Sequence, residues 1–243
     1  MVAQRRLEKL LGLLFKELAY WRSSKLQALV ENVDNKKKLK FLSMIGTPVP
    51  KSKLVGKRIC DIIFGILFGI ISLPIIFVFA IVIKLTSKGP VFFRQERVGY
   101  MGKPITITKL RSMRNDAEKK TGAVWAKKDD PRVTAVGKFM RKTRVDELPQ
   151  FWSIIKGDMS LVGPRPERFV LTEEFSEKWP DFPQRLRIIP GLTGYAQIHG
   201  GYDLKPNEKC KLDNYYIDHY SLRFDFKIAF ETFKILFTGD GAR

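Results

Sequence analysis

The sequence predicts an α+β fold, mostly helical with short strands, held at a membrane by a re-entrant helix and flanked by amphipathic interfacial helices. Three observations predict it. The run Ile62–Ile83 is uncharged and mostly apolar, is interrupted by Ser72-Leu73-Pro74, and has lysines on both sides. The rest of the chain alternates short strand-like and helix-like segments punctuated by Gly and Pro. The 243 residues carry 44 Lys and Arg against 25 Asp and Glu, a formal net charge of +19.

That charge suits an anionic partner: nucleic acid, anionic lipid or a phosphate-bearing substrate. The apolar run shifts the choice towards lipid and phosphate, since basic residues near an anionic membrane surface are attracted by about 1 kcal/mol each. The length allows one domain of catalytic size plus appendages. Cys60 and Cys210 form neither a metal-spaced motif nor a disulfide framework, which fits a reduced, cytoplasm-facing compartment. His199 and His219 are too few for a His-based zinc site without carboxylates. Met1–Arg6 lead into a charged amphipathic pattern and not a plain apolar stretch, so a cleavable leader is not expected.

Residues 1–50 read as an amphipathic N-terminal extension. Leu7, Leu10, Leu11, Leu14, Phe15 and Leu18 recur at helical spacing, Lys36-Lys37-Lys38 follows, and Thr47-Pro48-Val49-Pro50 ends the pattern. Such a helix can lie on a membrane, pack against a partner helix, or be an ordinary surface helix; it is the candidate surface for a homodimer.

Residues 51–88 read as a membrane-associated helix-break-helix. Ile62–Ile83 meets the roughly 20 apolar residues needed to span a bilayer, so length alone fits a crossing helix. Lys51, Lys53, Lys57 and Arg58 before it, and Lys84, Lys88, Arg94 and Arg97 after it, lack the asymmetry of a crossing helix and favour entry and exit by one face. Pro74 lacks an N–H and clashes with the preceding turn, and the Ser72 hydroxyl is the expected donor to the carbonyls it frees.

Residues 89–243 read as the main domain. Pro90–Phe93 and Ile105–Ile107 are strand-like around a Gly99/Gly102 turn, and Asp129–Arg132 is a loop. Helical pattern covers Thr134–Lys142, Leu148–Ile155 and Phe169–Trp179. Pro190–Gly194 is expected as a turn and Tyr195–Ile198 as a short strand. Phe224–Phe237 is an amphipathic helix with Lys227, Glu231 and Lys234 on one face and a wide aromatic face that suits either a bilayer interface or core packing.

The chemistry-bearing block runs from Arg141 to Pro166. Most Asp-Glu pairs are solvated helix-start residues. Asp146 and Glu147 differ in their company: they open an apparent helix, and Arg141, Arg144 and Arg165 lie close in sequence or across one short hairpin. Phosphate handling needs this mixture, a carboxylate to attack or hold a metal and fixed cations for phosphoryl oxygens.

With its ordered motifs the chain resembles the bacterial sugar transferases, the monotopic polyprenol-phosphate phosphoglycosyl transferases. The resemblance covers about residues 51–243. It rests on Lys57-Arg58-Ile59-Cys60-Asp61, Gly89–Gly99, Lys109-Leu110-Arg111-Ser112-Met113, Asp130-Pro131-Arg132-Val133-Thr134, Asp146-Glu147-Leu148-Pro149-Gln150, Lys156-Gly157-Asp158-Met159-Ser160, Gly163-Pro164-Arg165-Pro166 and Pro190–Gln197. It implies a catalytic domain on the cytoplasmic face of a bacterial membrane. The implied reaction moves a sugar-1-phosphate from a UDP-sugar to polyprenol (undecaprenyl) phosphate and releases UMP, the first membrane step of exopolysaccharide, capsule or glycoconjugate synthesis. By resemblance Asp146 is the nucleophile that forms a phosphosugar-aspartate, and Glu147 binds Mg²⁺. Arg141, Arg165 and the flanking Pro164 and Pro166 form the phosphate-binding part. Asp158 either supports the metal, orients an arginine or is structural.

The chain departs from the family pattern at two places. Arg144-Val145 stands where members often carry Ser-Leu, which adds a cation beside the site. The break is Ser72-Leu73-Pro74 where members often carry Ser-Pro. The rival class is a non-catalytic basic membrane-surface or nucleic-acid-binding protein. Its basic residues are spread along the chain with no recognised nucleic-acid motif, so nucleic acid is not an expected partner. Direct transfer with Asp146 as a base is the mechanistic rival. The expected donor is a UDP-hexose or UDP-N-acetylhexosamine.

Overall fold

A computed structural model describes residues 40–115, 117, 130–201 and 204–238. The chain divides into two compact units, Met1–Ser43 and Met44–Arg243. The amphipathic pattern expected at Leu7–Leu18 and the Lys36–Lys38 run lie outside the described residues. Residues 44–50, grouped with the extension on sequence, are fastened to the second unit. Val49 N donates to Arg187 O (3.0 Å), and Gln184 reaches both Met44 O (2.6 Å) and Gly46 N (3.0 Å).

Helix α1, Lys51–Thr86, is followed by an antiparallel hairpin, β1 (Phe92–Val98) and β2 (Pro104–Leu110). Helix α2 (Ala135–Lys142), a 3-10 turn (Val145–Gln150) and α3 (Phe151–Lys156) lead to β3 (Ser160–Val162). Then come α4 (Phe169–Lys178), a second 3-10 turn (Phe182–Arg187), β4 (Gly191–Thr193), the single turn α5 (Tyr195–Ile198), α6 (Pro206–Asp218) and α7 (Leu222–Thr238). β3 and β4 pair in parallel, Ser160 opposite Gly191 and Val162 opposite Thr193. The mixed α+β architecture is as expected, and a long apolar helix is consistent with the expected membrane-associated segment.

Local assignments at β4 and α5 reverse the sequence expectation. Gly191–Thr193 is strand, and Tyr195–Ile198 is helical. Tertiary pairing decides this: Ser160 N donates to Pro190 O (2.8 Å) and Gly163 N to Thr193 O (2.8 Å), so the glycine-rich stretch is drawn into a ladder. A Cβ on Gly191 would lie 2.1 Å from Gly163 N, which is why this close pairing needs glycine.

The helix α1 is continuous, with Pro74 inside it, where an interruption was expected. Its buried positions are Leu54, Lys57, Asp61, Gly65, Gly69, Ser72, Ile76, Ala80 and Ile83. Their spacing of three or four makes one stripe that runs through the proline, and packing along that stripe holds the helix together. Gly65 and Gly69 admit Ile155 and Phe151, whose side chains would sit within 2.9 Å of an added Cβ. Ser72 does not satisfy a freed carbonyl as expected; its hydroxyl is fully buried and has no hydrogen-bond partner.

Polar groups fasten both ends of α1. Lys57 Nζ bonds Val162 O (2.6 Å) and Asp225 Oδ2 (2.8 Å). Arg58 caps the last turn of α3 through Ile154 O (2.6 Å) and Ile155 O (2.5 Å), and Asp61 Oδ1 accepts from Ser160 Oγ and Leu161 N (2.8 Å each). At the other end Arg111 bonds Ser87 O (3.0 Å) and Lys88 O (2.5 Å). The outer face of α1 is left apolar and exposed, from Val55 through Ile63, Ile70 and Ile71 to Leu85. On α7, Phe224 packs against the cluster that contains buried Ile228 while Phe226, Phe230 and Phe233 are exposed, so its aromatic residues are divided between core and surface.

Candidate active site

The hairpin supplies one wall. Cross-strand partners share a face, so Phe93 with Lys109, Gln95 with Ile107 and Arg97 with Ile105 project together. Ile105 and Ile107 pack with Ile154 and Met159, and Lys109 continues that face towards the 3-10 turn. The second wall is the Ser112 segment under α2. Thr134 caps α2 by accepting from Gly137 N (2.9 Å), and Thr134 N donates to Ser112 O (3.0 Å). A Cβ on Gly137 would fall 1.9 Å from Ser112 O, so only glycine lets α2 seat this closely. The seat aims Arg141, whose Nε donates to Ser112 Oγ (3.0 Å).

The 3-10 turn carries the carboxylates. Arg144 enters it in the left-handed region (φ 55°, ψ 17°), and Glu147 N closes back on Arg144 O (3.0 Å). Asp146 and Glu147 are both buried. Glu147 Oε1 accepts from Lys109 Nζ (2.5 Å) and from Arg165 Nη2. Burial opposes ionisation of Glu147, but Arg165 and Lys109 outweigh it and hold the group well below the usual carboxylate range. Asp146 behaves oppositely. Burial pushes it up from 3.8 to about 6, the attraction of Lys109 limits the rise, and the Glu147 charge adds to it. Adjacent acids with such different environments take different tasks.

Asp146 opens into a cavity of about 300 Å³. Its lining is strongly cationic: Arg97, Lys109, Arg111, Arg114, Arg132, Arg141, Arg165, Arg168 and Lys209, against Asp146 and Glu167. Phe92, Phe93, Met113 and Leu171 add an apolar part. A cavity of this size and charge suits a phosphorylated ligand with a planar or sugar portion.

The structure therefore brings together Asp146, Glu147, Arg141, Arg165 and Pro166. Pro164 sits just behind: its carbonyl accepts from Gly191 N (3.0 Å), and it does not line the cavity. Asp158 is also outside the lining and pairs with Lys156 (2.8 Å). Asp158 follows Gly157, which ends α3 in the left-handed region (φ 93°). Among the described residues no three-ligand His/Cys/Asp/Glu group exists. Sequence reasoning named the Lys109–Met113 block without giving Lys109 or Ser112 a role. The available signal was period-two alternation: Lys109 falls on the same face as Ile105 and Ile107, where a lysine needs an anionic partner. Arg97 and Arg132 fell inside quoted motifs without a role, and Arg114, Arg168 and Lys209 had no local signal, because five separate stretches of chain deliver these cations.

An apolar helix, together with a 3-10 turn that sets a buried carboxylate against a cationic cavity, has the features of a membrane-associated, phosphate-handling protein. Residues 52–239 match the family model described as bacterial sugar transferase, and the chain belongs to that family. A Bacillus subtilis (strain 168) protein is 57% identical over 133 residues, covering 55% of this chain and 74% of that protein; it carries the provisional name of an undecaprenyl-phosphate N-acetylgalactosaminyl 1-phosphate transferase. The UDP-N-acetylgalactosamine-undecaprenyl-phosphate N-acetylgalactosaminephosphotransferase of Aeromonas hydrophila is 42% identical, over 77% of this chain and 45% of its own length. The UDP-glucose:undecaprenyl-phosphate glucose-1-phosphate transferase of Klebsiella pneumoniae is 41% identical, over 78% of this chain and 42% of its own length. The matched region thus spans less than half of the last two relatives.

Proposed function

We propose that this chain transfers a sugar-1-phosphate from a UDP-sugar to undecaprenyl phosphate and releases UMP. The observation that carries this is Asp146: a buried carboxylate, raised to about 6, facing a 300 Å³ cationic cavity beside a Glu147 locked in ion pairs. At neutral pH Asp146 is ionised yet poorly solvated, a condition that favours attack on phosphorus. Its oxygen bonds to the β-phosphorus of the donor. The bond from that phosphorus to the bridging oxygen breaks, and UMP leaves with the bonding pair. A phosphate oxygen of the acceptor then attacks the same phosphorus and frees the Asp146 carboxylate, giving polyprenol diphosphate-sugar. Arg141, fixed by Ser112, and Arg165, fixed by Glu147, meet the phosphoryl oxygens with planar, always-charged donors. Pro164 and Pro166 stiffen the Arg165 turn.

The donor set fits a shared Mg²⁺. Asp146 and Glu147 are too few for an all-protein cage, and Mg²⁺ commonly takes one or two carboxylates plus substrate phosphates. Glu147 would hold it, and the ion would neutralise diphosphate charge. Release of UMP by the chain in nanodiscs, with undecaprenyl phosphate, Mg²⁺ and a panel of UDP-sugars, is the test. Turnover is expected to stop with EDTA. Without acceptor, intact mass should rise by one phosphosugar, localised to Asp146 by peptide mapping. Turnover with no adduct under rapid quench would favour Asp146 as a base.

Attachment is monotopic in this reading, with the domain on the cytoplasmic face. Support comes from α1: Leu54 and Lys57 near its start and Ala80 and Ile83 near its end are all buried on the one unit. A crossing helix would carry one end away. Its apolar outer face, with Trp152 (65% exposed) and the α7 phenylalanines, is left for lipid. Cysteines placed at Lys51 and Lys88 should both resist a membrane-impermeant maleimide in intact cells and both react after lysis. Labelling of one of them from outside would refute the monotopic reading.

A further inference from the structure

The carboxamide of Gln197 is buried with neither Nε2 nor Oε1 hydrogen-bonded, and Asp213 Oδ1 is likewise buried without a partner. Native proteins rarely leave such groups unpaired, because nothing then offsets the loss of their hydration. Both side chains line one chamber of about 20 Å³, together with Arg144, Arg165, Arg185 and Lys209. That volume holds a single water-sized group. The orphaned atoms specify what it is. Gln197 Nε2 can only donate, while Gln197 Oε1 and an ionised Asp213 Oδ1 can only accept. A phosphate oxygen would face two acceptors, and a methyl group would leave all three unpaired. A hydroxyl accepts from Nε2 and donates to one of the two oxygens, so it leaves fewer groups unpaired than either.

The chamber adjoins the large cavity, since Arg165 and Lys209 line both. Its wall is fixed in place. Asp213 Oδ2 accepts from Arg185 Nε (2.8 Å) and Nη2 (2.6 Å), and Arg185 Nη2 also donates to the Arg165 carbonyl (3.0 Å). Arg144 contributes to the same wall from a left-handed backbone conformation, the position where this chain departs from the common family pattern. We infer that the chamber built on Gln197 and Asp213 is a hydroxyl-binding subsite that discriminates among donor sugars. This rests on the transferase reading. A trapped water would accept from the same amide and could donate to both acceptors, and the experiment separates it from a sugar hydroxyl.

The test is Gln197→Met in the full chain in nanodiscs, with Gln197→Glu as a second variant that keeps length and one acceptor. UMP release is measured with UDP-hexoses that differ at one hydroxyl, alongside UDP affinity and the unfolding midpoint without ligand. The expected result is a tenfold or larger change in the kcat/KM ratio of at least one such pair. UDP affinity should stay within twofold, and the midpoint should hold or rise because an unpaired amide has been removed. Ratios that stay constant while the midpoint drops mean a trapped structural water and overturn the inference. Equal losses for every donor also overturn it. Wild-type protein that releases no UMP with any donor overturns the transferase reading itself, a result distinct from active wild type with an unchanged variant.

Discussion

Asp146→Asn is expected to abolish turnover, by at least about 10³-fold, while making the protein more stable at neutral pH. The reason is the same burial that makes the carboxylate reactive. Asp146 is raised from 3.8 to about 6 by desolvation, against the pull of Lys109 and with the Glu147 charge adding. A carboxyl group raised on folding contributes its full stability below the unfolded value, and that contribution is lost as pH rises through about 6. The difference corresponds to about 3 kcal/mol. Asparagine has no charge to desolvate. The variant should therefore unfold at a higher midpoint than wild type at pH 7.5, with the gap closing near pH 4. Glu147 does not blur this window, since its ion pairs keep it charged throughout. Wild-type kcat/KM should fall on the acid side with an apparent pKa near 6. Equal stability of the two proteins at both pH values would mean that Asp146 is solvated in the folded protein, and the account of its reactivity would fail.

That trade-off explains which parts of the site were legible in sequence. Asp146, Glu147, Arg141 and Arg165 stood out because the block is local and its residue types conflict with an ordinary solvated helix start. The capped helix at Thr134–Lys142 was legible because Thr134 and the apolar period fall together, and the structure starts α2 at Ala135 with Thr134 as its cap. Strand β4 was not legible. Gly191-Leu192-Thr193 has turn chemistry, and only its parallel partner at Ser160–Val162 makes it a strand. The Pro74 interruption was overestimated because local sequence does not show the unbroken stripe that packs beneath it. Gln197 was legible only as the end of the Pro190–Gln197 motif and had no role there: an amide in a glycine-rich stretch looks like surface until its neighbours are placed.

The Lys57-Arg58-Ile59-Cys60-Asp61 block was legible only as a motif, and its physical role leads to the second large effect. Lys57→Met is expected to destabilise the protein by about 3–5 kcal/mol. Lys57 is 2% exposed and is the cation between α1, β3 and α7. Removing it leaves the Asp225 carboxylate buried with Tyr216 Oη as its remaining side-chain donor (2.6 Å). Burial first, and then the Asp225 charge, push the Tyr216 phenol well above its ordinary value, so it stays protonated and cannot replace the lost cation. Asp225→Asn should be damaging for the converse reason. The pair Lys57→Met with Asp225→Asn removes both charges, and most of the lost stability should return. Urea unfolding of the three variants in one detergent measures this. Additive losses in the double variant would show that the two side chains act independently and sink the anchor interpretation. Turnover should follow the same order. Arg58, the residue after Lys57, caps α3, and α3 directly follows the turn that carries Asp146. Loosening α1 at Lys57 therefore reaches Asp146 through one helix cap, which would couple the apolar helix to the proposed chemistry.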